Sequence, residues 1–511
     1  MTEFLSNQIK PAPNPDRLRT EEWLDIKVQS FVGGVFTLGA QSVKLLLQFV
    51  SVIILARLLT PEDYGLFAIV IAISVFVNLL KDMGLPTITI QNPEITNIQV
   101  SNLFWINTAM GFGFAFLMVV AAPFVGWIYH EPRLIPMLVV MAITCLAGGM
   151  SSQHQALLKR SMRFKTLAVL DVVSMLAGVS VAILAAVNNR AYWSLVYMHL
   201  AMEFTGAVGT WWACPWRPES PRRHSGVHLM LKSGQHLTLT TFLSYIGRNL
   251  DALLIGWSRG PGELGFYNKS YTILLLPSLH INLPVSGVAL SSLSRTQGEL
   301  EQHRRHYTRI VLLTTSLGMP LVSFLFVVAE KAILVILGQQ WLPCVPIFRA
   351  LSPTAFLDCL LITLTWALIS IGKTDRLFRM IFTTTVVTVA GFMVGLSWGA
   401  FGVAVALSLT RVGSLIPMVY YVCRHSHLSM LDVLGAPLRP FLASVAAACG
   451  LWGFASFVPT GESAMRGLMV DALIFGCLYT GLWVSIPGGI GMLKDIVKLT
   501  PLLWRGSDSK H

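Results

Sequence analysis

Polar side chains recur on one face of an apolar stretch near the start of this 511-residue chain. Their spacings of four, three and four residues place them on a single side of a helix: Thr37, Gln41, Lys44 and Gln48. A lysine at the centre of a membrane helix costs about 2.5–3.5 kcal/mol on insertion scales. This face is therefore predicted to line a wet cavity and bind substrate. The alternative is a role in packing between helices.

A second charged stretch lies between Ser244 and Tyr267, where Arg248, Asn249 and Asp251 interrupt an apolar segment. Arg248 and Asp251 are three residues apart and so share a helix face. A local ion pair would make Arg248 structural. Otherwise Arg248 and Asn249 are candidates for substrate binding, and Asp251 for binding a coupling ion.

Two further cations, Arg349 and Arg411, lie in later apolar segments and complete a set with Lys44 and Arg248. A phosphate or pyrophosphate group that crosses an apolar layer needs compensating charge, and arginine offers planar, paired donors for it. The set predicts an anionic, phosphorylated substrate. Acids in the same kind of segment are candidate ion-coupling sites or, alternatively, partners of cations: Asp251, Asp358, Glu203, Asp171 and Asp471.

The composition identifies the class of protein that carries these residues. The chain is 54% hydrophobic and only 12% charged, with a mean hydropathy of +0.65. Such a chain is a polytopic membrane protein. Its seven cysteines show no C-x-x-C spacing, and the motifs of nucleotide-driven pumps, zinc proteases and serine hydrolases are missing from the sequence. We therefore expect no catalytic residue, metal site, cofactor or nucleic-acid partner.

The hydropathy pattern predicts an all-α fold with about fourteen membrane helices, since apolar runs of about twenty residues span the hydrocarbon. The predicted segments are 32–56, 64–82, 102–128, 133–156, 166–187, 191–213, 232–256, 263–291, 308–330, 343–371, 377–396, 400–423, 437–457 and 466–487.

The distribution of basic residues predicts the orientation. Of the 37 Lys and Arg residues, 26 fall in alternate segments that include both termini, 6 fall in the opposite loops, and 5 lie within helices. Basic residues accumulate on the cytoplasmic side. Both termini are therefore expected in the cytoplasm, and the N-terminal sequence lacks the pattern of a cleavable signal peptide.

Two internal matches predict that the chain is a repeat. Pro61 and Gly65 match Pro261 and Gly265 at an offset of 200, and a second match at an offset of 211 links the loops after residues 158 and 369. Two pseudo-symmetric six-helix lobes would then surround a central cavity. The predicted parts are a tail (1–31), an N-lobe (32–213), a linker (214–231), a C-lobe (232–423), two further helices (437–487) and a C-terminal tail (488–511).

Three stretches together resemble the polysaccharide transporter family of the multidrug/oligosaccharidyl-lipid/polysaccharide exporter superfamily, and in particular its bacterial exopolysaccharide and O-antigen flippases. They are GGVFTLGAQSVKLLLQFVSVIILARLLTPEDYGLFAIV, ALLKRSMRFKTLAVLDVVS and RNLDALLIGWSRGPGELGFYNKSY. The resemblance implies a V-shaped, two-lobed fold and alternating access. It also implies export of undecaprenyl-pyrophosphate-linked oligosaccharide across the inner membrane, with membrane lipids, a polymerase and export machinery as partners. Lys44, Arg248, Arg349 and Arg411 would attract the pyrophosphate and sugars.

Two other functions are compatible with a membrane protein of this size. One is a secondary antiporter for drugs or other lipid-linked substrates within the same superfamily, but a site for cationic drugs should be acidic. The other is a polymerase or ligase, but such an enzyme needs sizeable outer loops, and the loops predicted here are short.

Overall fold

The computed structural model describes residues 20–82, 84–92, 94–222, 227–457 and 464–485. Side chains at 20–35, 227–244 and several later positions, including Arg248, lie outside this description. Across the described ranges the chain forms helices and no strand. They are α1 (Thr20–Leu58), α2 (Pro61–Asp82), α3 (Leu85–Gln91), α4 (Asn97–Ile128), α5 (Leu134–Arg160), α6 (Phe164–Val187), α7 (Trp193–Ala213), α8 (Val227–Arg295), α9 (Leu300–Val327), α10 (Ala329–Ile336), α11 (Cys344–Ser370), α12 (Thr374–Gly395), α13 (Gly399–His425), α14 (Met430–Phe457) and α15 (Ala464–Ser485).

The helices have the length and apolar character of membrane spans. Ten stretches of the described chain are long and apolar enough to cross a membrane, and one of them, Thr374–His425, contains both α12 and α13. Large apolar side chains point outward, such as Phe116 and Trp127, each 71% exposed. The all-α polytopic fold is confirmed, whereas the count of fourteen spans is not. The short helices α3 and α10 were not predicted.

The chain divides into two compact units, Met1–Ile246 and Gly247–His511. Within the first, α4 packs along α5, α6 along α7, α5 against α7 and α1 against α6. Within the second, α9 packs along α11, α12 along α13 and α11 against α13, while Gly247 of α8 lies against Thr385 of α12. These four pairings of the first unit each have a counterpart in the second, as a repeat requires, whereas the packing of α9 along α14 has none in the first unit. The predicted lobe and linker boundaries remain a proposal.

Glycines allow close approach where helices of each unit cross. A Cβ at Gly111 of α4 would lie 2.8 Å from the carbonyl oxygen of Cys145 in α5. Likewise, a Cβ at Gly149 of α5 would lie 2.8 Å from the carbonyl oxygen of Asn107 in α4. In the second unit, Gly395 of α12 meets the backbone of Gly402 in α13. Small residues at such crossings replace the hydrophobic driving force that helices lack in lipid.

The two repeated turns have different local chemistry. Before α2, the Thr60 hydroxyl and backbone N–H donate to Asp63 Oδ2 at 2.7 and 2.9 Å, which caps the helix start. In the second unit Gly260 breaks α8 with φ of 82°, a conformation that favours glycine. Glu263 then accepts a hydrogen bond of 3.0 Å from the N–H of Ala400 at the start of α13.

A charged cluster holds the turn between α4 and α5. The Arg133 guanidinium donates to Glu131 Oε1 at 2.6 Å and also bonds Glu62 of α2. The hydrogen bond from Arg133 lowers the pKa of Glu131 below its ordinary value of 4.5, and the two carboxylates raise the pKa of Arg133. The cluster therefore ties the turn before α2 to the turn before α5.

The segment after α7 runs across the start of α4. The backbone N–H of Glu219 donates to Ser101 Oγ at 3.1 Å, and that of Arg222 donates to Asn102 Oδ1 at 3.0 Å. Trp216 is buried against Phe104 and His154. Burial also raises the pKa of the Cys214 thiol, so this cysteine remains protonated. The Pro- and Arg-rich linker predicted from 214 is thus packed against the first unit as far as 222.

Candidate functional site

A pocket in the first unit brings together α1, the end of α5 and the start of α6. Lys44 Nζ lies 3.6 Å from Asp171 Oδ2, with the two side chains 36% and 57% exposed. The pocket has a volume of about 180 Å³ and is lined by Ala40, Gln41, Lys44, Lys159, Phe164, Leu167, Ala168 and Asp171. Two lysines and one aspartate give it a net positive charge.

Only part of the polar face predicted on α1 lines this pocket. Gln41 is exposed and lines it beside Lys44, whereas Gln48 is half-buried and is not part of the lining. The side chain of Thr37 lies outside the described residues. The structure thus places two of the four predicted residues at one site and adds Lys159 and Asp171.

Two of the predicted cations of the second unit, Arg349 and Arg411, lie on α11 and α13. Ser408 of α13 shares a hydrogen bond of 2.9 Å with Thr354 of α11, which holds the two helices in register. One turn further along, Arg411 Nε lies 3.9 Å from Asp358 Oδ1, with both side chains 30% exposed. This is a loose ion pair, longer than the 2.7–2.9 Å of a charge-assisted hydrogen bond.

Arg349 lies near the start of α11, nine residues before Asp358, or about 13.5 Å at the rise of an α-helix. Its Nε is buried without a hydrogen-bond partner among the described residues, and the same holds for Nε of Arg411. The two arginines therefore belong to one helix pair but lie at different depths along it. The first two prolines of this region do not interrupt α11: Pro343 precedes the helix and Pro346 lies in its first turn, where no backbone donor is needed.

Asp251 has a defined environment within α8. It is 4% exposed, and its carboxylate accepts hydrogen bonds from the Tyr267 hydroxyl at 2.6 Å and from the N–H of Ala252 at 2.8 Å. The proposed pairing with Arg248 falls on a side chain outside the described residues. Asn249 beside it is half-buried.

The remaining acids differ in their burial and surroundings. Asp471, 1% exposed, lies 2.6 Å from Lys331 Nζ, and Asp171 lies near Lys44. Both therefore follow the alternative in which a membrane acid partners a cation. Glu203 is exposed on α7. No group of three or more potential metal ligands occurs within the described ranges.

Sequence reasoning missed Lys159 because it was grouped with the loop that follows α5. The residue is instead in the last turn of that helix, and the turn at 161–163 directs α6 back beside α1. The available signal was Asp171, which follows this loop closely in sequence. It lies about two helical turns after the start of α6.

Long apolar helices with cations among them are typical of a multi-pass membrane transporter. The chain belongs to the family described as "Polysaccharide biosynthesis protein", whose sequence profile matches residues 54–346, more than half of its length. The family resemblance predicted from the sequence is therefore confirmed.

Curated relatives and a solved structure agree with this assignment. The chain is similar to the lipopolysaccharide biosynthesis protein WzxC of Escherichia coli (strain K12), with 21% identity over 429 residues, 83% of this chain and 85% of that protein. It is also similar to the teichuronic acid biosynthesis protein TuaB of Bacillus subtilis (strain 168), with 24% identity over 335 residues, 65% of this chain and 69% of that protein. Its fold is that of the lipid II flippase MurJ in an inward closed conformation: the TM-score is 0.74 at 13% identity, over 91% of this chain and 100% of MurJ.

Proposed function

We propose that this protein is a flippase that moves undecaprenyl-pyrophosphate-linked oligosaccharide across the bacterial inner membrane for exopolysaccharide, capsule or O-antigen synthesis. One observation carries the proposal. Arg349 and Arg411 lie in apolar helices with buried Nε atoms that have no hydrogen-bond partner in the part of the chain that the structure describes. An anionic group would supply the missing acceptors.

The charge of the carrier explains why such arginines are useful. A pyrophosphate brings negative charge into a layer where ions are costly. Arginine keeps its own charge and presents several donors in one plane. The lipid tail can remain in the bilayer while the headgroup and sugars pass through the protein. Membrane lipids, a polysaccharide polymerase and export machinery are the proposed partners.

The proposed mechanism is alternating access between two lobes around a central cavity, with both termini in the cytoplasm. The fold shared with a flippase in an inward closed conformation supports it. Asp251, Asp358 and Glu203 are the proposed ion-coupling residues. Among them Asp251 is the best shielded, because it is buried and bonded to Tyr267.

The test is export in cells that lack the native copy and carry Arg349→Gln with Arg411→Gln. We expect polysaccharide export to fall about tenfold or more, because a hydrogen bond to a charged group contributes about 1.5–3 kcal/mol. Arg376→Gln is the matched control, since that arginine pairs with Asp375 at 3.4 Å in an exposed position. Wild-type export by the double variant, at wild-type abundance in the membrane, would refute the proposal.

A second pair of substitutions asks whether the first unit contributes. Lys44→Gln with Arg248→Gln should lower export in the same assay, because both cations are proposed to attract the pyrophosphate. Translocation of a labelled lipid-linked oligosaccharide in inverted membrane vesicles separates the transport step from later assembly. Unchanged translocation would remove these two residues from the proposed site.

Other functions predict different results. Extrusion of organic cations by cells that express the protein would favour a drug antiporter, although mid-helix cations oppose such a substrate electrostatically. We also propose that the protein performs no catalytic step. Formation of a polymerised or ligated product by the purified protein would contradict that statement.

A further inference from the structure

The lysine pocket of the first unit opens beside the turn between α5 and α6, and four basic residues lie in this turn or in the adjoining helix ends. Three of them are occupied elsewhere. Arg160 donates to the carbonyl of Thr89 at 2.9 Å, Arg163 donates to that of Ala213 at 3.2 Å, and Lys165 lies 5.1 Å from the centre of the Phe36 ring.

Lys159, in the last turn of α5, is the fourth of these basic residues, and it lines the pocket. It is exposed and forms no ion pair with any other residue that the structure describes. Its ammonium group therefore has free donors at the pocket wall. Lys44 reaches the same pocket from α1, so two cations on different helices border one space.

Asp171 is the only acid in the pocket lining. Its distance of 3.6 Å from Lys44 and its 57% exposure describe a loose, solvated ion pair. Such pairs contribute little to stability. An incoming anion that also contacts Lys159 can therefore replace Asp171 at Lys44 without breaking a strong bond.

The size and lining of the pocket fit a phosphate group. The volume of about 180 Å³ is several times the roughly 10–15 Å³ that a cavity needs to hold one water, so one phosphate group fits with part of its hydration shell. Two lysines against one aspartate favour a ligand with a single or double negative charge. Phe164 and Leu167 form an apolar wall that does not compete for the anion.

We propose that this pocket is a phosphate-group subsite. Asp171 forms an ion pair with Lys44 until the phosphate of a substrate headgroup displaces the carboxylate. Asp171 then acts as a specificity-determining residue, because only a ligand that outcompetes a carboxylate gains access to Lys44. The subsite rests on the proposed function for its natural ligand, and its binding chemistry can be measured independently of transport.

The experiment measures binding to the full-length protein in nanodiscs. The probes are inorganic pyrophosphate, undecaprenyl phosphate and, as a neutral reference, undecaprenol. Asp171→Asn should bind the two phosphate probes roughly twofold to fivefold more tightly, the range that a solvent-exposed ion pair spans. Lys159→Gln should bind them more weakly by a similar factor. Binding of undecaprenol should not change.

Matched variants separate competition from a structural effect. Asp171→Glu restores the competing charge and should bind like the wild type. Asp375→Asn removes the acid of another exposed ion pair, which lies outside the pocket. Lys165→Gln removes a cation at the start of α6 that is not in the lining. Neither control should alter binding. The gain from Asp171→Asn should also vanish when Lys44→Gln is added.

Each outcome decides the proposal. A gain for undecaprenyl phosphate alone supports a lipid headgroup as the ligand, and a gain for both phosphate probes supports recognition of the phosphate group itself. Unchanged affinities in correctly folded Asp171→Asn and Lys159→Gln would overturn the subsite, as would an equal gain for undecaprenol. If Asp171→Asn does not fold, Lys159→Gln against Lys165→Gln decides alone.

Translocation measured on the same variants keeps the two proposals apart. Loss of phosphate binding by Lys159→Gln with unchanged translocation would remove the subsite from the transport route and leave the flippase function intact. Phosphate binding by a wild-type protein that translocates no lipid-linked oligosaccharide would refute the proposed function and leave the subsite intact.

Discussion

The Tyr479 hydroxyl of α15 donates a hydrogen bond of 2.9 Å to the carbonyl oxygen of Ser316 in α9. Four residues further along α9 stands Pro320, which has no N–H to give to that carbonyl. An unpaired backbone acceptor is costly inside a membrane. Helix α15 therefore supplies the hydrogen bond to this carbonyl that Pro320 cannot donate.

Tyr479→Phe should lower the stability of the protein by about 0.5–2 kcal/mol, the range measured for hydrogen bonds between membrane helices. The aromatic contacts with Phe475 and Trp483 should persist in the variant. Thermal unfolding of the purified protein in detergent measures the change. Tyr420→Phe is the control, since that ring is 55% exposed. Equal unfolding midpoints for the two variants would contradict the assignment.

Loss of Lys331 alone should destabilise the protein more than loss of Lys331 and Asp471 together. Lys331→Met leaves a carboxylate that is only 1% exposed without its cation, and breaking a buried pair costs about 3–5 kcal/mol. We expect about 3 kcal/mol, because the Lys331 side chain keeps 32% exposure.

Adding Asp471→Leu to Lys331→Met should recover most of that loss, because no buried charge remains. A double-mutant cycle on unfolding free energies measures the coupling. Additive losses in the double variant would show that the two side chains act independently.

Two glycines of α4 should respond oppositely to alanine. Gly111→Ala places a Cβ 2.8 Å from a carbonyl oxygen of α5, and overpacking of this kind costs about 1–3 kcal/mol. Gly113 has no atom within 4 Å of its Cβ position, so Gly113→Ala should be neutral or stabilising through helix propensity. Unfolding midpoints of the two variants provide the comparison, and a stable Gly111→Ala protein would contradict the close crossing of α4 and α5.

The turn between α4 and α5 should weaken in acid. The folded-state pKa of Glu131 is lowered by the Arg133 hydrogen bond, so its contribution is complete above the ordinary value of 4.5 and is lost as pH falls through the folded-state pKa. Unfolding midpoints between pH 6 and pH 3 should fall less steeply in Glu131→Gln than in the wild type. Parallel curves would assign the acid sensitivity to other groups.

Several features of the fold followed from local sequence. The apolar runs identified the membrane class, because a membrane helix needs about twenty apolar residues whatever surrounds it. The matched turns around Pro61 and Pro261 predicted a repeat, and four helix pairings of the first unit recur in the second.

Other features required the packed structure. The distance between the charged atoms of an ion pair depends on where two helices place their side chains. This N···O distance is 3.6 Å between Lys44 and Asp171 but 2.6 Å between Lys331 and Asp471. Spacing in one helix carries no information about the partner helix. The same reason hid the role of Lys159, whose position beside α1 arises from the turn between α5 and α6.

The sequence by itself determined the membrane class, the helical fold, the repeat and the family, because hydropathy, periodicity and short motifs are properties of neighbouring residues. Only the tertiary structure decided which charges lie together. It placed Lys44, Lys159 and Asp171 around one pocket, and it gave Asp251 a tyrosine partner sixteen residues away. The physical reason is that ion pairs and hydrogen bonds form only between groups that lie within a few ångströms of each other, and helix packing sets those distances.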